Sequence, residues 1–389
     1  MIVKRKDIKE MLFLLFLILP FFKPEYLSMK INILSALFFI LQIISFSYCI
    51  LYFIKKKYIS KILLLIILYF GLLAIPTFLY NSDNLLEYFK IVLSTIGICF
   101  VFDLGLKFYT KNFLKTINYL LLTYILINFF TIVLFPNGMY IRKVSLYTEN
   151  WFLGYKNDHI LYIFPYIILM ITNCIYNKNK IDKKSIILFF ICLLSILLVN
   201  SSTSIIGIFI IFIFIIFHSS INTNNIFHIK SYLFSYIVVY FGIIIFRVQN
   251  LFQFLIVNIL GKKLTFTDRV YIWDNTIQFI KQKIFLGYGF ENSTKRYLKT
   301  YTYRVYHAHN QFLEIIYKSG LIGLISFCLI IISASKKLYK YRSYYIGKFL
   351  SWSFLSLLIM MLMEYYQFNS FMYLFVLYYH IDKLIYLEK

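Results

Sequence analysis

Two histidines stand two residues apart in His307-Ala308-His309-Asn310-Gln311-Phe312-Leu313-Glu314, directly ahead of a long apolar run. An unperturbed imidazole changes charge near neutral pH, so a histidine exposed at the head of such a run can act as a general base. Asn310 is of the type that caps a helix N-terminus, and a helix begun there leaves His309 just outside it. Two imidazoles make half a metal site. The sequence nearby offers no obvious third ligand, so no metal is expected and His307 is read as lining the site. Glu314 and Lys318 lie four apart on the same run. Ionisable groups within an apolar span mark function by default, with a mutual i,i+4 ion pair as the plainer alternative. Gly320 and Gly323 are small enough to let neighbouring helices approach closely.

The elements that position these residues follow from composition. The chain has 389 residues, 61% apolar and only 14% charged. A soluble domain holds about 45–50% apolar and about 25% charged residues. Apolar runs fall at 11–22, 31–54, 62–80, 85–106, 113–135, 159–176, 185–199, 205–217, 231–246, 311–333, 344–363 and 371–387. The pattern predicts an all-α, polytopic membrane protein of about 12 transmembrane helices. The first run follows a basic start, as in a signal peptide, but no small-residue cleavage site follows and it is read as a helix. The runs at 185–199 and 205–217 are short and joined by Asn200-Ser201-Ser202-Thr203-Ser204, so this pair either borrows those polar residues or dips in without crossing. The five cysteines form no CxxC pair and are read as packing residues.

The net charge is +24, from 40 Lys+Arg against 16 Asp+Glu. In a membrane protein this reflects basic cytoplasmic loops rather than nucleic acid. With the N-terminus inside, the inner segments carry 23 Lys/Arg and the short outer ones 5, which puts both termini in the cytoplasm. Asp103 then falls near the inner end of its helix and is read as solvated. The organisation expected is helices one to nine over 1–246, a large external loop over 247–308, and helices ten to twelve over 309–389. That loop, between helices nine and ten, holds ten Lys/Arg and three acids. Within it Val270, Trp273, Ile277 and Ile280 recur at helical spacing, as in an amphipathic helix anchored on the membrane face by its aromatic residues.

At His309-Asn310, nine residues and then Gly320-x-x-Gly323, the sequence resembles the H-[NSQ]-x9-G-x-x-G motif of the O-antigen ligase and polymerase superfamily. Arg247-Val248-Gln249-Asn250-Leu251 is similar to that family's R-x3-L motif. Arg269-x-x-x-Trp273 and Gly287-Tyr288-Gly289 resemble its outer loop, as does the layout of twelve helices around one long loop. The resemblance implies glycosyl transfer from an undecaprenyl-diphosphate-linked glycan at the outer face of the bacterial cytoplasmic (inner) membrane. It implies no nucleotide sugar, cofactor or metal, and the sequence has no D-x-D pair and no Gly-rich phosphate loop.

For that chemistry His309 is expected as the general base and Arg247 and Arg269 as diphosphate binders, with Arg304 a further candidate. His307, Asn310 and Glu314 are expected at the substrate. A second outer segment, 136–158, places Arg142 for an anionic glycan and Trp151 for stacking on a sugar ring. Trp151 with its Leu-Gly-x-x-Asn turn resembles the matching loop of capsule and O-antigen polymerases. The reading is therefore a Wzy-type, inverting, metal-independent polymerase of lipid-linked repeat units that make capsular polysaccharide or O-antigen. Membrane lipid, a flippase and a chain-length regulator are its expected partners. The alternatives are an O-antigen ligase and, in another class, a polysaccharide transporter or flippase.

Overall fold

The computed structural model describes residues 5–30, 32–141, 149–217, 228–248, 269–291 and 307–385. Helices dominate them because a backbone in hydrocarbon must satisfy its N–H and C=O groups internally. In chain order they are α1 (Arg5–Ile18), α2 (Glu25–Lys30), α3 (Asn32–Lys56), α4 (Lys61–Tyr80), α5 (Leu85–Phe108), α6 (Thr110–Leu134), α7 (Ile160–Lys178) and α8 (Lys183–Leu198). There follow α9 (Ser202–Phe217), α10 (Ile229–Ile244), α11 (Arg269–Gln282), α12 (Gln311–Lys340), α13 (Tyr345–Met363), α14 (Phe368–Tyr379) and α15 (Ile381–Leu384). The only sheet among the described residues is an antiparallel pair, β1 (Asn150–Trp151) and β2 (Gly154–Tyr155). Each of the first eleven apolar runs falls mainly on one helix, and the twelfth is divided between α14 and α15. Among the described residues seven helices are long and apolar enough to cross a membrane: α3 to α7, α12 and α13. The chain is an all-α polytopic membrane protein.

The short pair α8 and α9 has 16 residues in each helix. At about 1.5 Å per residue neither reaches the roughly 30 Å of a hydrocarbon core. The polar turn between them packs inward: Ser201 donates to Asn157 Oδ1 at 2.9 Å and pairs with Ser204 at 2.7 Å.

The described ends of the chain share one face of the bundle. Asn112 donates to Glu10 Oε2 at 2.8 Å, and one cavity is lined by Glu10, Asn112, Asp382 and Lys383. Asp103 belongs to this end but is not solvated: it is fully buried, and Oδ1 lies 2.6 Å from His380 Nε2. Helix α14 stops at that histidine and α15 follows it, so the contact closes the C-terminal helices against α5.

At the opposite end α12 is interrupted at Gly320, whose φ of 62° and ψ of −166° break the helix. The break would strand backbone groups in an apolar setting. The segment after α11 satisfies them instead. Tyr288 N donates to Tyr317 O and Gly289 N to Lys318 O, each at 2.8 Å, while Leu321 N donates to Ile284 O at 2.8 Å. The same segment is tied to the end of α4 through Asn81 Nδ2 to Tyr288 O (2.6 Å) and Phe290 N to Thr77 Oγ1 (2.9 Å). Gly320 therefore admits a loop backbone rather than a helix; a Cβ there would lie 2.0 Å from Phe285 O. Gly323 makes room for the Ser319 side chain of its own helix.

The helix predicted inside the long loop forms as α11, and it packs against α12. Its Trp273 is fully buried, so this ring is a core residue and not a membrane anchor. The apolar stripe at 3–4 spacing faces protein, which periodicity alone does not distinguish from lipid.

Candidate active site

Asn310 fixes the start of α12. Its Oδ1 accepts from Leu313 N at 2.9 Å, as a helix cap does, and its Nδ2 donates to Leu362 O at 2.8 Å at the end of α13. Both polar ends of this buried side chain are thus used to join two helices. Just before it, Ala308 N donates to Glu314 Oε2 at 2.8 Å and His309 N to His307 Nδ1 at 3.2 Å. These contacts hold His309 in the left-handed region, at φ 47°. A non-glycine residue costs of order 1–3 kcal/mol in such a conformation and is kept there only by its surroundings.

The outcome is a partner for the imidazole. His309 Nδ1 lies 2.7 Å from Glu364 Oε1, and Tyr365 N donates to that oxygen at 3.2 Å. Arg269, from the first turn of α11, donates to Glu364 Oε2 at 3.0 Å. Glu364 is 8% exposed. Burial pushes its pKa up, but the His309 hydrogen bond and the positive charge available from His309, His307 and Arg269 outweigh it and hold the carboxyl below its ordinary value. A carboxylate on Nδ1 selects the tautomer with hydrogen there and leaves Nε2 with a free lone pair. The arrangement is that of an oriented general base.

His309 and Glu364 open on a cavity of about 520 Å³, lined also by His307, Tyr365 and, from the segment before α7, Tyr155 and Asp158. His307 lines this cavity beside His309, with the two ring centroids 4.1 Å apart. Glu314 and Lys318 form their own buried ion pair at 3.0 Å, and Lys318 Nζ donates to Tyr365 at 3.1 Å. Glu314 thus braces the turn before α12 from behind rather than lining the cavity. Arg269 enters the site through Glu364. Arg247 does not touch His309 or Glu364: it pairs with Asp274 of α11, with its guanidinium 5.6 Å from the Trp273 ring.

Trp151 departs from expectation. It is 2% exposed, packs beside Ile132 and Val199, and donates its indole N–H to Phe135 O at 2.8 Å. Its face is not open to a sugar ring; it anchors the hairpin. His159 shares that role, with Nε2 3.2 Å from Gly154 O and its pKa pushed down to about 4 by burial. Arg142 and Arg304 lie outside the described residues, as does Leu251 of the R-x3-L match.

The residue that no local sequence pattern singles out is Glu364. Its signal was faint: one acid at the end of an apolar helix, 55 positions from His309. It also supplies the third donor that the local sequence lacked, since His307, His309 and Glu364 present ligand atoms within 4.8 Å of one another. Two imidazoles and a carboxylate are a zinc-type donor set. Here, however, the 2.7 Å contact of Nδ1 with Oε1 is a hydrogen bond between the two donors, and Arg269 already supplies the carboxylate with a positive partner.

Residues 187–328 match the family model described as O-antigen ligase, a stretch that contains Arg247, Arg269, His309, Asn310 and both glycines of the helix break. No curated protein matches the chain. Through this stretch, somewhat over a third of the chain, the protein is similar to the O-antigen ligase family.

Proposed function

We propose that the chain is a Wzy-type polymerase that joins undecaprenyl-diphosphate-linked repeat units into capsular polysaccharide or O-antigen at the outer face of the inner membrane. The observation that carries the reading is the His309–Glu364–Arg269 arrangement at the head of α12. In the proposed step His309 Nε2 takes the proton of an acceptor sugar hydroxyl. The oxygen attacks the anomeric carbon of the donor, the bond from that carbon to the diphosphate oxygen breaks, and configuration inverts. Glu364 holds the imidazole in its tautomer and stabilises the imidazolium that forms. The leaving diphosphate gains charge, which the N–H groups of Arg269 not directed at Glu364 are available to meet. Arg247 is the second candidate, on condition that the phosphate displaces Asp274. No metal enters the step, and the termini and the short basic segments lie in the cytoplasm.

The test is complementation of a strain lacking this protein, with His309→Ala and Arg247→Ala at wild-type membrane levels and the surface glycan resolved on a gel. Accumulation of single repeat units without long polymer is expected, because a general base contributes about 10²–10⁴-fold in rate. Full-length polymer from His309→Ala sinks the reading. The description of the matching family favours a second reading, an O-antigen ligase. It predicts instead that full-length glycan persists on its lipid carrier and fails to reach its acceptor.

A further inference from the structure

A second opening adjoins the His309 cavity. It is a groove of about 840 Å³ between α3, α5, α7 and the start of α14. Leu161, Tyr162, Gln367 and Ser370 line both spaces and form their common wall. Two of the groove's lining residues are cationic, Lys23 and Lys90, and none is acidic. Lys90 sits in the second turn of an apolar span, where a charge marks function by default. Lys23 is half-buried, with one of its three N–H donors given to Ser35 Oγ at 3.1 Å. Burial lowers its pKa, as expected of an ammonium still short of counter-charge. The remaining lining is largely apolar, with Phe21, Phe38, Phe39 and Ile91 prominent. On the outer side stands α3, which turns much of its apolar surface away from the protein, Ile33, Leu37 and Ile40 among it.

An apolar slot bordered by a lipid-facing helix, with two ammonium groups and no carboxylate, fits an anionic head on a hydrocarbon tail. We propose that this groove binds a second polyprenyl diphosphate, with Lys23 and Lys90 as its phosphate partners. The proposal rests on the transfer reading above and deepens it. Joining two lipid-linked glycans requires donor and acceptor at once. The shared wall sets the second headgroup beside the cavity that holds His309, with its tail free to enter past α3.

The experiment uses the full chain in phosphatidylcholine nanodiscs and unglycosylated undecaprenyl diphosphate as probe, with bound equivalents counted by native mass spectrometry. Wild type should hold two. Lys23→Gln with Lys90→Gln should hold one, the other weakened at least about tenfold by loss of charge-assisted contacts. Lys23→Arg with Lys90→Arg should keep two. Lys90→Gln alone, at an exposed position, gives the same readout at reduced size should the double variant misfold. One equivalent on wild type, unaffected by the lysine changes, overturns the groove and leaves the transfer reading standing. No binding by wild type overturns the transfer reading itself. Loss of one equivalent when the discs contain phosphatidylglycerol assigns the groove to ordinary anionic phospholipid and likewise overturns the proposal.

Discussion

Glu364 separates the oriented-base account from one in which His309 merely packs. Glu364→Gln keeps shape and hydrogen-bonding capacity but presents a neutral partner that tolerates either imidazole tautomer. We expect glycan transfer to fall about 10²–10⁴-fold with protein level unchanged, read as loss of long polymer on a gel. Activity within a factor of a few of wild type removes Glu364 from the mechanism. The same carboxylate makes a claim on stability. Its folded pKa lies below the unfolded value of about 4.3, so its contribution is complete above that value and is lost as pH falls through the lowered folded one. The melting-temperature gap between wild type and Glu364→Gln in detergent should be present at about pH 5 and close only in stronger acid. A gap already closed at about pH 5 contradicts the low pKa. His309 and Asn310 stand out in the sequence because their types and spacing are local, whereas Arg269 is singled out only by the resemblance of Arg269-x-x-x-Trp273. Glu364 does not stand out, since nothing local shows that the end of α13 returns to the start of α12. Trp151 misled for a related reason: an aromatic residue in a polar loop reads as a platform until its burial is known.

At the scale of elements the break in α12 is the decisive feature. Gly320 has a backbone conformation open essentially to glycine alone, and a Cβ would strike the carbonyl of Phe285. Gly320→Ala should cost about 2–4 kcal/mol, seen as a lower melting temperature and a poor monodisperse yield. Gly71, inside α4, has nothing within 4 Å of its Cβ position. Gly71→Ala should be neutral or slightly stabilising in the same measurement, since alanine is the better helix former. Equal behaviour of the two variants contradicts the role given to the break. Helical existence was legible from apolar runs, because membrane-spanning chains have few other options. The break was not, since Gly-x-x-Gly also reads as a helix-packing motif.

Across the whole molecule the two ends of the bundle do different work. The end with His309 carries strained backbone and a polar cavity. The other end is fastened, with Asp103 and His380 joining α5 to the C-terminal helices in a fully buried contact. Removing one partner of a buried hydrogen bond leaves the other unsatisfied, at a cost of about 1–3 kcal/mol. Asp103→Ala should therefore lower thermal stability markedly while leaving transfer per folded molecule near wild type. A selective loss of transfer with unchanged melting would place Asp103 in a functional pathway instead. The sequence placed this aspartate near the helix end, but only packing reveals that the last helix covers it.

The joint at Gly320 is held by main-chain hydrogen bonds between two segments of the chain. Main-chain hydrogen bonds are indifferent to residue identity, so this joint constrains drift at its glycines far more than at its other positions. A lineage can exchange most of the surrounding side chains and still inherit the joint, in the manner of a hinge whose plates are replaced while its pin stays. Distant descendants would then share an interval between residues rather than a recognisable stretch of text.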